Sequence, residues 1–137
     1  MNIIMPTEII SGLWFSDIDS LKDSNFFKDN DINIIINLTD YNFKIDKKVS
    51  YINLAISTYN ILSLKNMIDK IVENIHNNIE LNNILVYCVN GLVISPLICS
   101  IYMIKYGKLN KYDIPAVLKS KNDQVLLNID DYDILLS

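Results

Sequence analysis

The segment best suited to chemistry places a cysteine at the end of a short apolar run, just before a turn and a helix without charged residues. Cys88 ends the run that begins at Ile84, Asn90 and Gly91 give the turn signal, and Ser95 opens the predicted helix. A cysteine thiolate can act as a nucleophile, and the backbone amides of such a loop can bind an anion. Free cysteine is also commonly buried for packing, and we favour that second interpretation for Cys88.

Composition limits the partners that this segment could serve. The chain has 137 residues, 50% of them apolar and 20% charged, which predicts one compact domain spanning residues 1–137. Its net charge of -4 argues against binding to nucleic acid or to an anionic membrane surface. All 12 basic residues are lysines, so no arginine fork is available to hold a phosphate from elsewhere in the fold.

The longest uncharged stretch covers residues 81–104 and has the length of a membrane span. Asn82–Asn83, Asn90–Gly91 and Pro96 interrupt it, which favours a buried strand, a turn and a buried helix instead. The only two cysteines, at positions 88 and 99, are expected to be free thiols in a reducing compartment. Because residues 1–6 lack the features of a signal peptide, we expect a cytoplasmic protein that does not enter a membrane.

Hydrophobic spacing predicts strands and helices in alternation. The clearest helix covers residues 63–79, with Ser63 as its candidate N-cap. Pro96 suits the first turn of the next helix, and Gly107 suits its end. The predicted fold class is α/β, with a central mixed, mostly parallel sheet of four to five strands flanked by helices. The other predicted elements are strands within residues 9–15, 32–38, 49–54 and 84–86 and helices within residues 17–29, 111–119 and 129–136.

The loop at Cys88 resembles the phosphate-binding loop of the dual-specificity protein phosphatases, a cysteine-dependent family. That family's loop reads His-Cys, two residues, Gly, two residues, Arg-Ser. Cys88, Gly91 and Ser95 match it in register, whereas Tyr87 stands at the histidine position and Ile94 at the arginine position. Further segments resemble the family in the same order, and these are residues 6–13, 32–39, 51–54 and 102–103.

The resemblance implies a specific chemistry and its loss. In that family the cysteine attacks phosphorus, loop amides and the arginine hold the phosphate oxygens, and an aspartate on a separate loop protonates the leaving oxygen. The resemblance puts Thr58 at the aspartate position, and the nearest acidic residues, Asp46 and Asp69, fall before a strand and inside a helix. It therefore implies a pseudophosphatase with no functional catalytic residue. Its degenerate phosphate loop consists of Cys88, Val89, Asn90, Gly91, Leu92, Val93, Ile94 and Ser95.

Two placements of Ile94 stay open at this point. Its side chain either fills the former phosphate site, which would exclude phosphate, or turns into the core. Outward exposure of Leu92, Val93 and Ile94 would instead form an apolar patch suited to a protein partner. His76 is expected to be solvated, and no grouping of histidine, cysteine and carboxylates has the spacing of a metal site. We accordingly predict no metal and no cofactor.

The resemblance supports three hypotheses for function. The first is a catalytically inactive module that binds a protein, either a signalling protein or an active phosphatase relative. The second is a residual phosphatase or hydrolase that uses Cys88, and the third is a structural homodimer or virion component. The abundance of Ile, Asn, Lys and Tyr is typical of AT-rich genomes, such as those of some protists and of poxvirus-like large DNA viruses. A viral origin would place the protein in the host cytoplasm.

Overall fold

A five-stranded sheet forms the centre of the molecule. The computed structural model describes residues 6–22, 24–41, 49–54, 60–89 and 92–137. The strands are β1 (Thr7–Ile10), β2 (Leu13–Asp17), β3 (Ile32–Asn37), β4 (Ser50–Asn53) and β5 (Asn83–Cys88). The helices are α1 (Ser24–Asp29), α2 (Ile61–Asn78), α3 (Ile94–Lys105), α4 (Ile114–Lys121) and α5 (Ile129–Leu136), and a short 3-10 helix covers Ile18–Lys22.

The strand order is β1-β2-β5-β3-β4, with β5 in the middle. β5 pairs in parallel with both β2 and β3, β4 pairs in parallel with β3, and β1 alone is antiparallel, to β2. A central parallel strand is buried on both faces, which explains why β5 lacks charged residues. The predicted α/β class and the mixed, mostly parallel sheet are confirmed.

Helices cover both faces of the sheet, and each face has its own core. Side chains of α2, α3, α4 and α5 join one face of the sheet in the main cluster, which includes Phe15, Val86 and Cys88. The opposite face carries a smaller second cluster, with Leu85 and Tyr87 from the sheet and Phe27 from α1. Alternate residues of β5 thus enter opposite cores, as the pleat of a strand requires.

The long helix begins earlier than its sequence pattern indicates. α2 starts at Ile61, and the Asn60 side-chain oxygen accepts from the amides of Leu62 and Ser63 at 3.0 and 3.3 Å. The prediction that Ser63 is the N-cap is therefore wrong. Ile61 packs against the main cluster, so the first turn is held in place by burial as well as by its cap.

The predicted helix at residues 17–29 is only partly correct. β2 extends to Asp17 because its residues stay in parallel register with β5, and the chain then forms the 3-10 helix before α1 begins at Ser24. The uncharged stretch 81–104 forms β5 and α3 on either side of the loop. No helix in the part of the chain that the structure describes is both long and apolar enough to cross a membrane.

The ends of α3 agree with the predictions made for them. Pro96 lies in its first turn, where the amide that proline lacks would have no partner within the helix. Gly107 follows the C-cap residue Tyr106, and a Cβ atom at Gly107 would lie 2.6 Å from the carbonyl oxygen of Met103. The chain can therefore leave the helix at this point only without a side chain.

Candidate functional site

Three strands bring their carboxyl ends together at one edge of the sheet. β5 ends at Cys88, β2 ends beside it at Asp17, and β3 ends at Asn37 on the other side. α3 begins at Ile94 and runs back over the sheet, so its N-terminus faces the same edge. Ligands of open α/β sheets commonly bind at such an edge, which makes this junction the candidate site.

Cys88 and Ser95 are in direct contact across the loop. The Cys88 Sγ atom lies 3.2 Å from Ser95 Oγ, and the Ser95 amide donates to the same sulfur at 3.5 Å. The Ser95 hydroxyl also lies 3.4 Å from the Ser16 carbonyl oxygen in β2, which it can reach as a donor. Cys88 is only 3% exposed, and Ser95 is fully buried. The thiol therefore lies under the first turn of α3 and is closed off from solvent.

The second cysteine packs behind this contact. Cys99 lies one helical turn after Ser95 and is fully buried in the main cluster. Burial raises the pKa of the Cys99 thiol, and the nearby Cys88 raises it further. Both cysteines are free thiols, as predicted. Cys99 is accordingly a neutral packing residue at physiological pH.

Tyr87, which the sequence resemblance puts at a histidine position, faces away from the thiol. Its ring lies in the second cluster, on the opposite face of the sheet from Cys88. Burial raises the pKa of Tyr87 to about 12 and outweighs the opposing influence of the Thr39 side chain, which does not meet hydrogen-bond geometry with the Tyr87 hydroxyl. The Thr39 hydroxyl, however, donates to Asn37 and accepts from the amide of Tyr41. The Tyr87 hydroxyl has no hydrogen-bond partner among the described residues and is fully buried.

The three apolar residues that precede and open α3 are half-buried. Leu92 and Ile94 pack against the main cluster, and the Leu92 carbonyl accepts from the amide of Leu126 at 2.8 Å. Of the placements left open for Ile94, the structure therefore shows contact with the core rather than full exposure. Leu92, Val93 and Ile94 do not form the exposed apolar patch considered from sequence.

Two other apolar side chains are exposed beside the described ends of the loop. Val89 is 55% exposed directly after Cys88, and Leu126 is 60% exposed where it contacts Leu92. We call Val89 and Leu126 the loop-flanking pair. Sequence analysis could not find this pair, because Leu126 reaches the loop through a backbone hydrogen bond made only in the folded chain.

Asp17 is a further residue of the junction that the sequence did not predict. It lies opposite Cys88 in the parallel register of β2 and β5 and is only 4% exposed. Leu13 and Phe15 face the main cluster, so strand alternation puts Asp17 on that face as well. The structure therefore brings one acidic residue to the same edge and the same face of the sheet as the thiol. The alternation of β2 was the signal that could have revealed it.

Several residues named from sequence lie elsewhere or outside the described residues. Thr58, Asn90, Gly91 and Asp46 fall outside the described residues. Asp69 lies within α2 and forms an ion pair with Lys105 on α3, so it is not placed to serve the thiol.

The histidine and the acidic residues offer no second site. His76 is exposed, as predicted, and stacks on Tyr106 with ring centroids 4.0 Å apart. Across the described ranges, no group of three or more histidine, cysteine or carboxylate residues is arranged to hold a metal ion.

Comparison with known proteins identifies the fold of the chain through solved structures and not through sequence. No protein-family model matches the chain, and no curated protein matches its sequence. Among solved structures, DUSP15 superposes with a TM-score of 0.84 at 19% sequence identity, over 95% of this chain and 84% of that one. The fold is that of the dual-specificity phosphatases.

Two human proteins extend this similarity. Human DUSP28 superposes with a TM-score of 0.82 at 13% identity, covering 96% of this chain and 90% of that chain. Human tyrosine phosphatase-like serine/threonine/tyrosine-interacting protein has the same TM-score at 18% identity and covers 96% of this chain and 93% of that chain. These superpositions establish the dual-specificity phosphatase fold of the chain, whereas its activity has to be argued from the site.

Proposed function

We propose that this protein is a catalytically inactive binding module built on the dual-specificity phosphatase fold. One observation carries the proposal. The strand, the thiol and the helix start are kept around Cys88 and Ser95, but the arginine position is Ile94, half-buried against the core. The chain contains no arginine that could substitute for it.

The expected loss of rate is large. Losing a general acid costs on the order of 10²–10⁴-fold, and losing a preorganised donor to transition-state charge costs on the order of 10²–10³-fold. These factors do not simply multiply, yet either would reduce turnover severely.

We assign the binding of a protein partner to the residues around the loop. Val89 and Leu126 expose apolar side chains next to a junction whose thiol is buried, which makes them the residues to test for contact with a partner. One protein of the same fold has "phosphatase-like" and "interacting" in its name. By analogy, the partner of this chain would be a signalling protein or an active phosphatase relative.

Hydrolysis of p-nitrophenyl phosphate tests the absence of activity. We expect the wild-type protein and Cys88→Ala to give the same rate as buffer. Hydrolysis by the wild type that disappears in Cys88→Ala would contradict the proposal and favour a residual cysteine-dependent phosphatase. A triple variant with Tyr87→His, Ile94→Arg and Thr58→Asp should gain activity over the wild type if the family positions are assigned correctly.

Anion binding gives a second, independent measurement. We expect no saturable chemical-shift change at the amides of Val89 and Ser95 when phosphate is added to millimolar concentration. Ile94→Arg should introduce such changes, because a guanidinium supplies the missing charge-assisted donors. Tungstate bound over the Cys88 sulfur of the wild-type protein would contradict the proposed loss of the anion site.

The binding role is tested through the loop-flanking pair. Val89→Asp combined with Leu126→Asp should reduce retention of partner proteins from host lysate, measured by quantitative mass spectrometry against the wild type. Leu81→Asp is the matched control, because Leu81 is 90% exposed and precedes β5 at the opposite end of the sheet. Equal losses in both variants, or none in either, would remove the loop-flanking pair from the proposal. Light scattering on the same samples reports whether the chain pairs with itself.

A further inference from the structure

A cleft lies between α2 and the edge of the sheet, away from Cys88. α2 packs chiefly on α3 and α5, and its other flank stands beside β3 and the edge strand β4. The gap between that flank and the sheet holds a cavity of about 330 Å³. This volume is near the lower end of the range of roughly 300–1,000 Å³ that is typical of small-molecule sites.

The cleft has an apolar interior and a polar mouth. Its apolar lining combines two strand residues, the residue that follows β4 and two residues of α2, and these are Ile36, Ile52, Leu54, Met67 and Ile71. Its polar lining comes from α2 alone, at Asn66, Lys70 and Asn74, which recur every four residues along one flank. A few polar groups over an apolar surface are the usual composition of a ligand pocket.

Lys70 supplies the only charged group among the residues that line the cleft. Its side chain is exposed and forms no ion pair with any residue that the structure describes. The neighbouring Asp69 is paired with Lys105 on α3, which keeps that carboxylate on the other flank of the helix. The mouth of the cleft therefore presents one ammonium group and two side-chain amides, a combination that suits a carboxylate.

We propose that this cleft binds a small apolar carboxylic acid, such as a medium-chain fatty acid. The hydrocarbon part would lie against Ile52, Met67 and Ile71, where burial of apolar surface stabilises it. The carboxylate would remain at the mouth and contact the Lys70 ammonium and the neighbouring amides. The site is separate from the Cys88 junction and does not depend on whether that junction is catalytic.

Octanoate and octanol form a matched pair of probes that differ mainly in the charge of the head group. We expect octanoate, below its critical micelle concentration, to cause saturable shifts of the Ile52, Met67 and Ile71 methyl signals in NMR spectra. Lys70→Gln should weaken octanoate binding roughly two- to fivefold, as expected for an exposed ion pair, and leave octanol binding unchanged. Lys28→Gln, which makes the same change on α1 at the other face of the sheet, should alter neither.

Occupation of the cleft by a larger side chain provides a test that does not depend on charge. Asn66→Trp should block both probes, because Asn66 is exposed at the mouth and tolerates a larger side chain without disturbing the core. Circular dichroism confirms folding, and Met67→Trp serves as the second filling variant. The proposal is overturned if octanoate gives no saturable shifts, if Asn66→Trp and Met67→Trp leave binding intact, or if Lys70→Gln affects octanol as much as octanoate.

Discussion

Replacing Tyr87 by phenylalanine should stabilise the protein, although Tyr87 is among its largest fully buried side chains. The ring packs among Phe27, Ile35 and Leu85, and the substitution leaves those apolar contacts in place. Only the hydroxyl is removed, and it has no hydrogen-bond partner within the described residues. An ordinary buried tyrosine would lose a hydrogen bond in this experiment, whereas this one loses an uncompensated polar group.

The magnitude follows from the cost of burying an unpaired polar group. That cost is about 1–3 kcal/mol, so we expect Tyr87→Phe to raise the free energy of unfolding by about 1 kcal/mol or more at neutral pH. A change of this size is a substantial part of the roughly 5–15 kcal/mol that stabilises a typical domain. It lies well within what a urea titration resolves, provided that the m-value does not change.

Tyr132 offers a matched control for the same chemical change. It is also fully buried, but its hydroxyl donates to Ser100 Oγ at 3.1 Å, and the Ser100 hydroxyl in turn donates to the Pro96 carbonyl at 2.8 Å. Tyr132→Phe should therefore lower the free energy of unfolding by about 1 kcal/mol. The same substitution at two buried sites is predicted to have opposite signs.

Urea unfolding of the wild type and the two variants, followed by circular dichroism, measures both changes in the free energy of unfolding. If Tyr87→Phe is destabilised as strongly as Tyr132→Phe, the Tyr87 hydroxyl has a partner in solution and the reasoning fails. If neither variant changes, the cost of burial at these sites is smaller than the structure indicates. A stabilised Tyr87→Phe would also show that the Tyr87 hydroxyl serves no polar role in the folded chain.

Three further predictions concern pH, the start of α2 and the thiols. Because burial raises the pKa of Tyr87 from 10.0 to about 12, the folded state resists ionisation of this residue, so the protein loses no stability from Tyr87 below pH 10 and loses it progressively as pH rises toward 12. The wild type should lose on the order of 2–3 kcal/mol more than Tyr87→Phe over that window, measured by urea unfolding at each pH, and parallel curves would contradict this. Asn60→Ala should cost about 1 kcal/mol in the same assay whereas Ser63→Ala should cost almost nothing, and the reverse order would restore Ser63 as the cap. Cys88 and Cys99 should react with a thiol reagent roughly tenfold or more slowly than a free thiol, and fast labelling of Cys88 would show that the junction opens readily.

The sequence was sufficient for those parts of the fold that local pattern determines. β5 could be predicted because an uncharged apolar run bounded by turn residues has few alternatives to a central strand. The cap of α2 could not, because Asn60 and Ser63 are both good capping residues. The choice between them is made by the burial of Ile61, a tertiary contact that no local pattern reports.

The candidate site also combines features that local sequence predicts with features that depend on tertiary contacts. Position 94 could be assessed from sequence, since isoleucine supplies neither charge nor hydrogen-bond donors wherever its side chain points. The placement of Asp17 on the same face as Cys88 depends instead on register, because a shift of one residue between β2 and β5 would turn its side chain to the other face. The position of Leu126 beside the loop depends on a contact between residues far apart in sequence, namely the backbone hydrogen bond from Leu126 to Leu92. Sequence therefore identified the residue types at the junction, and only the folded chain showed that Asp17 lies on the same face as the thiol and that Leu126 meets Leu92.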